Sequence, residues 1–168
     1  MGLESKILSK EIQQILYDNG MTLGTAESCT GGRIAEAIIA VPGSSNYFKG
    51  GIISYTDEIK ENVLHVSHET LQEKTAVSEE VAIQMVMGAC EVLNVNYAIA
   101  VTGIAGPGGG TSEIPVGTIW LAYGSKDNIK TYKLTEDEGR DVNLMNATNK
   151  ALRLFLEYLK EQDSQQDD

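Results

Sequence analysis

The sequence predicts an α/β fold: a single three-layer α/β/α domain built around a mixed β-sheet. Three observations carry that prediction. Strand-like and helix-like segments alternate through the first half of the 168 residues. Tyr97-Ala-Ile-Ala-Val-Thr102 is an almost unbroken apolar run, as a strand covered on both faces must be. Late in the chain, Val116–Tyr123 and Ile129–Leu134 read as two strands joined by the polar turn Ser125-Lys-Asp-Asn128, a hairpin that adds antiparallel pairing.

The elements follow in order. Ile7, Leu8, Ile12, Ile15 and Leu16 recur at helical spacing, which predicts a helix over Leu3–Asn19 stopped by Gly20. Met21–Thr25 reads as a short strand and Ile34–Ala40 as a helix, ended by Pro42-Gly-Ser-Ser45. Gly50–Tyr55 is the next strand. Asp57 is a good N-cap for a short helix to about Leu64, and Ser67 caps a further short turn. Ser78-Glu79-Glu80 opens a stronger helix, a capping hydroxyl followed by two acids at the positive end of the dipole. Gly103–Gly110 is too glycine-rich for regular structure, and Asp141–Glu161 is a long closing helix. Residues 1–161 are thus expected to be one domain and 162–168 a disordered acidic tail.

Composition excludes whole classes of function. Net charge is −11, so a phosphate backbone or an anionic membrane surface would repel the chain, although one basic pocket for a small anion remains compatible. Cys29 and Cys90 are too few for a disulfide framework. The N-terminal segment has no signal-peptide core and no apolar run approaches spanning length, so a cytoplasmic location without membrane or nucleic-acid partners is expected.

The stretch Thr25-Ala-Glu-Ser-Cys-Thr-Gly-Gly-Arg33 is where chemistry is most concentrated. A strand that stops and turns into a helix presents free N–H groups and positive potential, suited to a phosphate or an oxyanion. Ser28 at its mouth reads either as a helix-capping hydroxyl or as a nucleophile, with Glu27, Thr30, Gly31 and Gly32 around it. Cys29 is a rival nucleophile if the helix terminus lowers its pKa, and otherwise a small buried side chain. Lys60, early in its helix and near Tyr55, reads either as an exposed lysine pairing with Asp57 or Glu61, or as a base whose charge burial disfavours. The loop with Gly103, Ala105, Gly106 and Gly108 offers N–H groups to which a ligand can come close, and Thr102 precedes it at a strand end, where ligands bind in α/β sheets. The loop lacks the lysine and hydroxyl of a P-loop. Arg140 is either a solvated charge among acids or a clamp for a phosphate or carboxylate. His65 and His68 find no further ligands in a metal-binding pattern.

Five motifs in this order resemble a known family. Thr25-Ala-Glu-Ser-Cys-Thr-Gly-Gly32, Gly50-Gly-Ile-Ile-Ser-Tyr55 with Lys60, Ala76-Val-Ser-Glu-Glu80, Val101-Thr-Gly-Ile-Ala-Gly-Pro-Gly-Gly-Gly110 and Pro115-Val-Gly-Thr118 resemble the C-terminal domain of the competence/damage-inducible protein CinA. That domain also occurs alone as nicotinamide-nucleotide amidase. The resemblance runs from about Ile7 to Leu159, without the separate N-terminal domain of longer CinA proteins. It implies hydrolysis of the carboxamide of nicotinamide mononucleotide to nicotinic acid mononucleotide and ammonia, in pyridine nucleotide salvage, with no metal or organic cofactor. Ser28 would be the nucleophile, Lys60 the base, alone or relayed through Tyr55, and Thr102 an orienting group. The N–H groups near Cys29–Gly32 would hold the oxyanion, Arg140 and the glycine loop the phosphate, and Glu27 the cationic pyridinium. The resemblance also implies a homo-oligomer. Members commonly carry a second basic residue a few positions into the last helix, which Val142-Asn-Leu-Met-Asn146 lacks. The competing reading is a binding module that senses a nucleotide, or a regulatory module of competence or DNA damage, without turnover.

Overall fold

The computed structural model describes residues 2–167; Met1 and Asp168, at the two ends of the sequence-based division, lie outside the described residues. The order is α1 (Leu3–Asn19), β1 (Leu23–Glu27), α2 (Arg33–Ile39), a 3-10 turn (Ser44–Asn46), β2 (Phe48–Ile53), α3 (Asp57–Leu64), α4 (His68–Lys74), α5 (Glu79–Val92), β3 (Tyr97–Gly103), β4 (Ile119–Ser125), β5 (Asn128–Leu134) and α6 (Arg140–Gln166). The strands form one sheet in the order β2-β1-β3-β4-β5. β1 runs parallel to both β2 and β3, and β4 and β5 complete the sheet antiparallel. This is the mixed sheet the alternation and the late hairpin predict.

Side-chain alternation along β3 divides the core into its two layers. Tyr97, Ile99 and Val101 face the cluster that includes Ile12 of α1, Ile34 of α2 and Phe155 of α6. Ala98 and Ala100 face the other cluster, with Met85 and Val86 of α5 and Leu64 of α3. Alanines on that face let α5 lie close to the sheet. Gly88 of α5 meets α3 backbone to backbone, since a Cβ there would collide with the Leu64 carbonyl. That close approach holds α3, the helix that carries Lys60, against the body of the protein.

Several boundaries differ from the sequence reading. α3 is capped by Thr56, whose Oγ1 accepts the Ile59 N–H at 3.3 Å, so Asp57 is the first helical residue and Lys60 the fourth. Ser67 opens a full helix, α4, with its hydroxyl accepting from Thr70. Residues Val116–Thr118 are turn and not strand: Gly117 sits at φ 94° and its N–H donates to Ile104 at 2.8 Å. α6 continues to Gln166, through most of the stretch expected to be a disordered tail.

Candidate active site

The carboxyl ends of the three parallel strands meet at one edge of the sheet, and the chain leaves each with a polar residue. Ser28 follows β1, Ser54 and Tyr55 follow β2, and Thr102 lies at the end of β3. The chain departs from β1 to α2 on one face and returns from β2 through α3–α5 on the other, so this edge is a switch point where a crevice must open. A cleft of about 340 Å³ lies there, floored by Ser28 and Lys60 and walled by the glycine loop, Tyr55 and Arg140.

Ser28 is fixed by its backbone, whose N–H donates to Val101 of β3 at 2.9 Å. Its side chain is not the cap of α2. That task falls to Glu27, whose carboxylate accepts the Thr30 hydroxyl at 2.7 Å and the N–H groups of Ile34 and Ala35 at 2.9 and 3.1 Å. A buried carboxylate at a helix N-terminus is satisfied both by hydrogen bonds and by the dipole. Gly31 and Gly32, at φ 57° and 104°, make the left-handed turn that brings α2 back over it. The sequence reading that placed Glu27, Thr30, Gly31 and Gly32 against a substrate is therefore corrected. Glu27 and Thr30 are buried against each other, the glycines shape the turn, and of this stretch Ser28 and Cys29 reach the cleft.

The fourth position of α3 sends the Lys60 side chain back along the helix toward its N-terminus. Its Nζ lies 3.0 Å from Ser28 Oγ and donates to the Ser54 carbonyl at 2.8 Å. Ser54 is itself tied to β1, its N–H donating to the Glu27 carbonyl at 2.8 Å. Lys60 is only 1% exposed, which discards the solvated-lysine reading. Burial holds the amine below its ordinary 10.5, with Asp57 and Cys29 acting in the opposite direction. A neutral Lys60 can donate to Ser54 and still offer its lone pair to the Ser28 hydroxyl. Such a serine–lysine pair can take a proton from a nucleophile and return it to a leaving group.

Cys29 is a poor rival. Burial pushes its thiol from 9.0 to about 12, so at neutral pH it is a protonated, inert side chain. Tyr55 is 60% exposed at the cleft rim, and Lys60 reaches Ser28 without it, so the geometry requires no relay. Thr102 faces the cleft but gives its hydroxyl proton to the Ala76 carbonyl at 2.8 Å, which pins the segment before α5 to the site. Arg140, the first residue of α6, lines the cleft and donates through Nη1 to the Gly106 carbonyl at 2.8 Å. Gly103, Ala105, Gly106 and Gly108 line the same wall, and the N–H groups of Ala105, Gly106 and Gly108 donate to no backbone acceptor among the described residues. That leaves them available to an anion. Among the described residues, no three or more His, Cys, Asp or Glu side chains are grouped to hold a metal ion.

Sequence reasoning missed three contributors. Ser54 acts through its carbonyl, which no residue type advertises. Asp57, expected as a cap, stands on the cleft wall, where its carboxylate acts on Lys60. Asn143 lies in the stretch that drew attention only for lacking a base.

Known proteins share this architecture. A solved structure of the competence/damage inducible protein CihA from Agrobacterium tumefaciens superposes with a TM-score of 0.90 at 38% identity, over 95% of this chain and 99% of that one. A CinA superfamily protein of Escherichia coli gives 0.87 at 35% identity, over 90% of this chain and 88% of that one. In sequence, the nicotinamide-nucleotide amidohydrolase PncC of Escherichia coli strain K12 is 45% identical over 116 residues, 69% of this chain and 70% of that protein. A CinA-like protein of Leptospira borgpetersenii is 51% identical over 118 residues, 70% of this chain. A competence-damage inducible protein of Halothermothrix orenii is 42% identical over 160 residues, 95% of this chain. The chain spans only 28% and 39% of the lengths of those last two relatives. No helix among the described residues is long and apolar enough to cross a membrane. The CinA C-terminal domain matches residues 5–159, which takes in every strand and the whole cleft, and the chain belongs to that family.

Proposed function

We propose that this chain hydrolyses the carboxamide of nicotinamide mononucleotide through a serine acyl-enzyme, releasing ammonia and nicotinic acid mononucleotide. One observation carries the proposal: a buried lysine amine 3.0 Å from a serine hydroxyl on the floor of a cleft. The amidohydrolase name of the PncC relative supplies the substrate. The cleft volume of about 340 Å³ suits a small nucleotide held with part of its surface exposed.

In this scheme neutral Lys60 takes the Ser28 proton as Oγ attacks the carboxamide carbon. The Cys29 N–H, at the cleft wall beside Ser28, is the donor for the oxyanion. Collapse of the tetrahedral intermediate breaks the C–N bond, and the Lys60 ammonium gives its proton to the departing nitrogen. Water then attacks the acyl carbon with Lys60 again as base, and as the C–O bond to Ser28 breaks to release the product acid, which ionises to the carboxylate, the Lys60 ammonium returns its proton to Ser28 Oγ. Arg140 and the loop amides hold the phosphate. Asp57 replaces Glu27 as the carboxylate for the cationic pyridinium, because it stands on the cleft wall. Incubation with nicotinamide mononucleotide, with ammonia and the deamidated nucleotide measured, tests the proposal. The wild type releases both and folded Ser28→Ala loses at least about a thousandfold in rate. Full activity of Ser28→Ala removes the acyl-enzyme, and a folded wild type that binds the nucleotide without releasing ammonia favours the sensor.

A further inference from the structure

The glycine loop has no regular secondary structure to hold it, yet it lines the cleft, and its free N–H groups must be held in place to bind an anion. Two consecutive carbonyls of that loop, Ala105 and Gly106, are gripped from the first turn of α6. Arg140 Nη1 donates to Gly106 at 2.8 Å and Asn143 Nδ2 donates to Ala105 at 3.1 Å. Asn143 is 3% exposed, and both N–H donors and the oxygen of its amide are engaged. Nδ2 also donates to Asp137 Oδ1 at 2.9 Å, and Oδ1 accepts the Glu138 N–H at 2.8 Å. Asp137 in turn accepts the Gly139 N–H at 3.1 Å, closing a bracket between the turn that enters α6 and the loop.

We infer that Asn143 is a positioning residue: it clamps Ala105 and so holds the free N–H groups of Ala105, Gly106 and Gly108 in the cleft wall, and thereby sets affinity for the anionic part of the substrate. Residues 142–146 lack the basic side chain expected there. Asn143 supplies instead a neutral contact to the loop, leaving direct anion contact to Arg140 and the backbone. A carbonyl held from behind fixes the orientation of the peptide unit whose N–H belongs to the next residue, so the Ala105 clamp bears directly on the Gly106 N–H. Asn143 holds the wall from behind and does not itself line the cleft, so its substitution acts on binding and leaves the Ser28–Lys60 pair alone.

Asn143→Asp tests this with two readouts. The variant is isosteric and keeps the oxygen for Glu138, but sets a carboxylate oxygen against the Ala105 carbonyl and Asp137. In the free protein, amide resonances of Ala105, Gly106, Gly108 and Gly109 shift and exchange faster, while those of Ser54 and Lys60 stay in place; unmoved loop resonances overturn the inference. With nicotinamide mononucleotide, KM rises about tenfold while kcat stays within about threefold; a fall in kcat at unchanged KM overturns it. The kinetic arm rests on the amidase reading. If the wild type releases no ammonia, that reading has failed separately and the loop resonances decide the clamp. Should Asn143→Asp not fold, Asn143→Ser, which keeps a shorter donor, carries both readouts.

Discussion

Lys60→Met removes the amine while keeping a flexible side chain of similar length, and its consequences for activity and for stability can be worked out separately. Loss of a positioned base costs roughly 10²–10⁴ in rate. At 1.36 kcal/mol per tenfold, that raises the barrier by about 3–5 kcal/mol. The stability effect has a definite sign. Burial lowers the folded-state pKa of Lys60 below 10.5, so the unfolded chain binds more protons than the folded one between the two values. Stability from this group therefore rises with pH across that window, and the cost of burying the charge is fully present below it. Methionine carries no such cost but leaves the buried Ser54 carbonyl without its donor, a loss of about 1–3 kcal/mol. Thermal melts of wild type and Lys60→Met as a function of pH isolate the lysine, because Tyr47, Tyr97 and Tyr123, whose pKa values burial also raises, cancel in the difference. The expected difference curve climbs in favour of the wild type as pH rises toward 10.5. Parallel melting curves, or ammonia release within tenfold of wild type, would refute a buried base at this position.

Two further substitutions separate chemistry from architecture. With its thiol near 12, Cys29 is thiolate in only about one molecule in ten thousand at pH 8, so Cys29→Ala keeps kcat/KM within about threefold and iodoacetamide at that pH leaves activity intact. Rapid inactivation at a stoichiometry of one would make it the nucleophile after all. Glu27→Ala strips the acceptor from two N–H groups of α2 and from Thr30, and is expected to cost about 3 kcal/mol in urea denaturation, with Glu27→Gln losing about half as much. A destabilisation below about 1 kcal/mol would mean that water or a rearranged turn satisfies the helix terminus.

The fold was legible in the sequence because its signals are local. The apolar run of β3, the glycine after α1 and the hydroxyl-acid-acid start of α5 each act within a few residues. β4 was read too early because Val116 and Thr118 are β-formers, while the turn there is made by contacts with Ile104, far away in sequence. The site was legible as residue types and not as roles. Glu27 and Ser28 sit side by side, and nothing in their neighbourhood tells which one turns inward to α2 and which faces the cleft. That depends on strand direction: Glu27 ends β1 pointing one way and Ser28 starts the turn pointing the other. The Ser54 carbonyl and the Asn143 clamp were invisible for a similar reason, since their partners are set by how α3 and α6 dock.

The energetics of Lys60 bear on the choice between an enzyme and a nucleotide sensor. A sensor gains nothing by sealing an amine 1% exposed beneath a hydroxyl, because an exposed lysine would attract a phosphate at far smaller desolvation cost. The two bonds Lys60 makes, to Ser28 Oγ and to one carbonyl, are too few to make a buried ammonium favourable, and among the described residues no carboxylate forms an ion pair with it. An arrangement that disfavours the charged form is a liability for binding and a requirement for taking a proton near neutral pH. The cation suited to anion binding is placed elsewhere, at exposed Arg140, and Asn143 holds the loop without a charge of its own. That division of labour, charge at the rim and an amine whose charged form burial disfavours at the floor, suits a serine hydrolase for an anionic amide better than a sensor.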